Sequence, residues 1–357
     1  MPHELSHVVA AGRSLIGTAI LSSDANPSDA EISEFLLANA VALNAARNAL
    51  SGDCHVSLTN DAAFIDDQCG DVDPLLKVAR GFDLELRCAE RQGDMPRVIA
   101  RAMDLFGLAN AVRCGGLVIN ALIGMAFESM AVDRLRPLRT RLSCTESVAL
   151  ANELLQVDVQ REEFESIVVR DAQWERDVYT PEQRANSVTP SSVDANSLQA
   201  ADEDDAAFQS MTKAFIDLPI EQRQAFHKQH DYQHIALLRL LAIEASLNAC
   251  LKLRGGYPSA LSALVPEFIA RLPGDPFTGR EFIYQEAGES FCLYSPGPTG
   301  LDSGGRFGHW FEVLAGHADL CLEIGDYNMT CCLSPHRGGR MANLIARLRG
   351  LFRWRRN

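Results

Sequence analysis

The chain lacks the motifs that announce a particular chemistry. It contains no G-x-S-x-G, no H-E-x-x-H and no Walker loop, and Gly115-Gly116 and Gly338-Gly339 are isolated pairs that make no phosphate cradle. Its ten cysteines, at 54, 69, 88, 114, 144, 250, 292, 321, 331 and 332, include no C-x-x-C pair and match no zinc template. Several stand among apolar helix residues, where a thiol behaves as a small hydrophobe, so buried thiols in a reducing compartment are the expectation and disulfides the alternative. Positive charge is also short. The net charge of −14 argues against general nucleic-acid binding, which needs a cationic surface to displace counterions. No run reaches the roughly 18 apolar residues of a membrane span. The best stretch, Gly115 to Phe127, is short and contains Asn120. Leu5 to Leu21 is apolar but is broken by Arg13 and has no basic region before it, so a signal peptide is not expected. These features point to a cytoplasmic location, with peripheral membrane contact as the alternative.

What is present is ample material for a core. With 357 residues and 47% apolar content, about two domains are expected. EISEFLLANAVALNAARNAL is an amphipathic helix from Ser28 to Leu50, capped by Ser28 or Asp29. Residues 51–74, rich in Gly, Asp, Cys and Asn, read as a loop. Leu75–Arg91 and Pro96–Val112 read as paired helices and resemble one tetratricopeptide hairpin at 75–112. Cys114–Leu135 and Ser143–Val157 read as further helices. Residues 158–185 read as a solvated charged face. The expected organisation is an irregular helical bundle over 1–184 and a flexible connection over 185–210. A helix-and-hairpin module over 211–330 and a basic amphipathic tail over 331–357 follow. The fold class is α+β.

The stretch from His234 to Arg306 organises the second half. Leucines at helical spacing lead to Gly255-Gly256, which ends the helix, and Tyr257-Pro258 forces an extended exit. A short helix over Ser259–Val265 is followed by turn chemistry at Pro273-Gly274-Asp275-Pro276. Strands are expected over Glu281–Gln285 and Ser290–Tyr294, around Glu286-Ala287-Gly288-Glu289. Three motifs carry a resemblance: Gly255-Gly256-Tyr257-Pro258, Asp275-Pro276-Phe277-Thr278-Gly279, and the loop Leu293-Tyr294-Ser295-Pro296-Gly297-Pro298-Thr299-Gly300. In this order they resemble the periplasmic module of type II secretion major pseudopilins, over roughly 70 residues. The whole chain resembles a group of planctomycete proteins that join a helical region to such a module. The resemblance implies a long helix with an antiparallel hairpin and a role in an envelope assembly. It also implies a calcium site in the last loop. There Thr299 stands where an Asp is usual, which leaves Asp302 as the main carboxylate. The short leader and the membrane helix with its glutamate, both typical of that family, are not found.

Two further patterns bear on function. His227, His230 and His234 share a helical face and are able to converge on a transition metal, with Asp231 or Glu221 assisting. The alternative is a polar face before the apolar stretch begins. In 337–357 there are seven Arg and no acid, which leaves 26 basic against 47 acidic residues elsewhere, a net −21. Met341, Leu344, Ile345, Leu348 and Phe352 fall on one helical face there, Arg347 and Arg349 lie off it, and Arg353 and Trp354 follow. This pattern suits an anionic membrane interface, or a helix docking on the acidic body or on a protein. The resulting expectation is a non-enzymatic structural or interaction protein, without cofactor, that associates with a protein partner or with itself. A metal-dependent enzyme using the histidine helix, and a cytosolic scaffold binding a peptide, are the alternatives.

Overall fold

A computed structural model describes residues 4–22, 27–182, 220–308 and 310–322. The chain is mostly helical, with one small antiparallel hairpin, and the class is α+β. In order come α1 (Ser6–Ser14), a 3-10 turn at Thr18–Leu21, α2 (Asp29–Leu50), α3 (Phe64–Gln92) and α4 (Met95–Arg113). Then follow α5 (Val118–Leu138), α6 (Cys144–Gln160), α7 (Phe164–Val178) and α8 (Ile220–Arg254). After a 3-10 turn at Leu261–Leu264 come β1 (Ile283–Ala287), β2 (Ser290–Tyr294) and the single-turn α9 (Trp310–Leu314). The connection expected over 185–210, the start of the module over 211–219 and the tail, including Leu344, Arg347, Leu348, Arg349, Phe352, Arg353 and Trp354, lie outside the described residues.

Local chemistry explains most of the boundaries. Ser28 and Glu31 close a capping box on α2: the Ser28 backbone N–H donates to Glu31 Oε2 at 2.8 Å and Glu31 N–H to Ser28 Oγ at 3.3 Å. Ser143 and Glu146 repeat it on α6. Asp94 caps α4, and Gly93, at φ 71°, ends α3 in the left-handed region. The loop expected over 51–74 is shorter than the sequence suggests, because α3 begins at Phe64 and runs through Pro74. Packing explains the persistence: Phe64, Ile65, Cys69 and Val72 are buried, and Gly12 of α1 lies so close to Pro74 that a Cβ would stand 2.2 Å from its carbonyl oxygen.

The helix expected over Ser259–Val265 is only the 3-10 turn. The first strand sits two residues later than expected, so Ala287 pairs with Ser290 across Gly288-Glu289. Residues 158–185 are also not simply solvated. Phe164, Ile167 and Trp174 of α7 are buried, and the Trp174 indole N–H donates to the Thr59 carbonyl at 2.7 Å.

One hydrophobic cluster extends from Leu5 to Leu322 and takes in residues from the first helices and from the hairpin. Its densest seam is α4 against α5, where Gly124 approaches the backbone of Ala109. The helix α8 is buried nearly all round from Leu238 to Cys250, as expected of a helix apolar on every side. It is long and apolar enough to cross a membrane, contrary to the sequence expectation that no segment is. Most of that window lies inside the bundle, packed chiefly on α6.

The three motifs of the C-terminal module close on one another. Asp275 accepts from Phe277 N–H (3.1 Å), Thr278 Oγ1 (3.0 Å) and Ser295 Oγ (3.0 Å), and Ser295 Oγ in turn accepts from Gly297 N–H. Burial raises the Asp275 carboxyl above its ordinary pKa despite these donors. Tyr284 donates to the Pro258 carbonyl at 2.7 Å, and Tyr257 meets Phe291 edge-on at 4.9 Å.

The α4–α5 seam yields a substitution of predictable sign. Alanine at position 124 would gain about 1 kcal/mol of helix propensity in an open helix. Here its Cβ would stand 2.7 Å from the Ala109 carbonyl oxygen, so Gly124→Ala is expected to destabilise by about 1–3 kcal/mol in urea unfolding.

Candidate functional site

The strongest concentration of chemistry lies where α4, α5, the α6–α7 connection and α8 meet. Arg113, the last residue of α4, forks onto Asp231 of α8, with Nη1–Oδ1 at 2.6 Å and Nη2–Oδ2 at 3.1 Å. Arg161 donates to the same carboxylate at 2.7 Å and, through Nη1, to both oxygens of Glu128 on α5 at 2.5 and 2.6 Å. Arg113, Glu128 and Asp231 are buried, Asp231 to 1% and Glu128 to 2% exposure, and the Arg161 side chain is 9% exposed. Two guanidiniums face two carboxylates, so the group is neutral as a whole. Burial pushes the Asp231 carboxyl up, but the two arginines and their hydrogen bonds outweigh it and hold it below the usual range.

A second ring of contacts fixes this quartet. Arg113 Nε donates to the Glu162 carbonyl at 2.8 Å, and the Glu162 carboxylate accepts from Gly115 N–H at 3.0 Å and Arg170 Nη2 at 2.6 Å. Along α8 the polar pins continue. Arg239 meets Asp158 at 3.0 Å and Glu244 meets Arg139 at 2.5 Å, while Asn248 donates to Ser147 Oγ at 2.7 Å.

The histidines stand beside the quartet. His230 and His234 are each 6% exposed, with rings edge-to-face at 5.6 Å, and His227 is half-buried beside Phe226. His234 Nδ1 is 3.9 Å from Glu128 Oε2. Burial, reinforced for His234 by Arg161 and for His230 by His234, pushes both imidazoles down to about 3. They are therefore neutral, the form that binds a metal, but the nearest carboxylates are taken by arginines. Asp231, expected to assist the histidines, is the shared acceptor of Arg113 and Arg161, and Glu221 is exposed. Among the described residues no three or more His, Cys, Asp or Glu side chains come together as a metal-holding group.

Asp302 lies in the last loop, where Oδ1 accepts from Tyr294 Oη at 3.0 Å and Gly304 N–H at 2.8 Å. The neighbouring Asp319 accepts from Ser303 and Gly305 N–H groups. Of the described cysteines, Cys54, Cys69, Cys250 and Cys321 are buried.

The sequence left Arg113, Glu128 and Arg161 unmarked, because their partners lie up to 118 positions away. The spacing Phe164, Ile167, Trp174 was the available sign that the charged stretch has a buried face. No protein-family model, no curated protein and no solved structure matches the chain.

Two outcomes follow from this geometry. Asp231→Ala leaves the buried Arg113 without its carboxylate and Arg161 with Glu128 alone, and is expected to cost about 3–5 kcal/mol in denaturant unfolding. Glu165→Ala, which breaks the exposed Lys228 pair, should cost under about 1 kcal/mol. The second outcome concerns pH. An unfolded chain protonates its histidines below about 6.5 while folded His230 and His234 stay neutral. Their stabilisation is thus complete above that pH and is lost as pH falls towards 3, about 2 kcal/mol each by pH 5. Depressed Asp231 acts only below the ordinary carboxylate range. The melting temperature should therefore fall between pH 6.5 and 4.5, and fall less in His234→Gln.

Proposed function

We propose that the chain is a non-enzymatic structural and protein-interaction protein, in which a rigid helical body presents binding faces. The observation that carries this reading is the outward side of α2. Leu37 and Val41, one turn apart, are 82% and 85% exposed, the most exposed large apolar side chains among the described residues. Exposed Ala38, Ala40 and Ala45 extend the face, which is bounded by Glu34 one turn before Leu37 and by the Arg47 guanidinium on Asn44. Exposed contiguous apolar surface marks contact sites more often than chance exposure does. The inward chemistry agrees, since the buried carboxylates and guanidiniums where α4, α5 and α8 meet are paired with each other and His230 faces aromatic rings. Such an arrangement stiffens a body rather than turning over a substrate.

Envelope association is the second part of the proposal. It is supported by the C-terminal module, whose pseudopilin-like motifs interlock through Asp275, Ser295 and Tyr284. The basic residues Arg347, Arg349 and Arg353 beside Leu344, Leu348, Phe352 and Trp354 support it as well. Calcium takes six to eight oxygen ligands, and Asp302 Oδ1 is already held by Tyr294 and Gly304, so the reading does not rely on calcium.

Fractionation of the native host's cells tests both parts, with the full chain, a 1–336 truncation and Leu37→Glu/Val41→Glu compared. The expected results are a membrane fraction that disappears with the truncation and a cross-linked species that disappears with the α2 double variant, its helicity unchanged. Association unaltered by the α2 variant would overturn the interaction reading, and a soluble full chain would overturn envelope association.

A further inference from the structure

Three buried polar atoms on α8 and α9 lack a hydrogen-bond partner within the chain: His230 Nε2, Gln233 Oε1 and Trp310 Nε1. Their residues are 6%, 2% and 2% exposed. His230 and Gln233 lie one turn apart on α8, and the Trp310 ring of α9 meets the His230 imidazole at a 62° tilt with centroids 6.1 Å apart. The surroundings are aromatic: Phe226 stacks on His230 at 5.9 Å and Phe277 leans on Trp310 at 6.1 Å. Leaving a buried donor or acceptor unmade is costly, and native structures rarely tolerate several together.

The chemistry of the three atoms defines what satisfies them. An indole N–H only donates, an amide oxygen only accepts, and a neutral imidazole nitrogen does either. A metal ion has no use for the indole donor, and a carboxylate or phosphate would meet the Gln233 oxygen unfavourably. We infer that one ordered water molecule bridges α8 and α9, accepting from Trp310 Nε1 and donating to Gln233 Oε1 and His230 Nε2. Three such bonds are the usual complement of a buried water. The bridge gives a helix of a single turn, Trp310–Leu314, a polar attachment to the centre of the bundle in addition to its apolar contacts.

The two accounts of these atoms differ in sign. If water links them, Gln233→Met removes one of its acceptors and is expected to lower the melting midpoint of the full chain by about 2 °C. In a Trp310→Phe background, where the water has already lost its donor, the same change should have less than half that effect. If the atoms are merely unpaired, Gln233→Met relieves a buried oxygen and raises the midpoint in both backgrounds, which overturns the inference. Crystals of the wild-type chain at high resolution are expected to show one peak about 2.7–3.2 Å from all three atoms. No peak, or one too large for a single oxygen, overturns it as well.

Discussion

Four charges withdrawn from water, Arg113, Glu128, Arg161 and Asp231, set the terms on which the helices meet. Any one of them left alone in the interior would cost several kcal/mol, and their mutual attraction offsets that only when all four are seated with their hydrogen bonds made. The elements that carry them are separate in sequence: the end of α4, the middle of α5, the residue after α6 and the first half of α8. The arrangement is therefore all or nothing. Apolar burial supplies most of the drive to collapse, and the quartet discriminates among collapsed states by fixing which turn of α8 lies opposite which turn of α5.

The rest of α8 extends the same logic. Arg239, Glu244 and Asn248 each find a polar partner on or next to α5 and α6, at intervals along a helix that is otherwise leucine, alanine and isoleucine. A helix apolar on every side packs well in many rotations and registers, and polar pins remove that freedom. Arg239 also donates to the Gly274 carbonyl at 2.7 Å, so the pin holding α8 to Asp158 steadies the turn from which the DPFTG loop starts. The hairpin is then positioned by Asp275, Ser295 and the Tyr284 phenol. It reads as an extension of the helical core rather than an appendage.

Parts of this were legible in the sequence and parts were not, for identifiable reasons. The start of α2 was, because Ser28 and Glu31 stand three apart before an apolar run, and the capping box that spacing implies is formed. The ends of α3 and α8 were legible from Gly93 and Gly255, which need no partner elsewhere to stop a helix. The early start of α3 was not. Gly70 and Pro74 are local breakers, and what overrides them is the approach of Gly12 from another helix. The histidine face on α8 was placed correctly on one side of a helix, but its surroundings were not, because the groups that claim Asp231 come from residues 113 and 161. Periodicity reports which side of an element is apolar. It carries no information on which distant charge a buried carboxylate will meet.

The span between Arg113 and Asp231 has a consequence during synthesis. The ribosome adds residues at about 5–20 per second, so the 118 positions between the two take about 6–24 s to emerge. For the last 70 of those positions, after Arg161 has been added, about 4–14 s, α4, α5 and α6 are already made, holding two guanidiniums against the single carboxylate of Glu128 and an apolar seat shaped for α8. The nascent chain thus waits with a positively charged, greasy cleft that only its own later half neutralises. Chaperones that shield such surfaces, and the pace at which codons 182 to 254 are read, act on the yield of this protein before any property of the finished fold does.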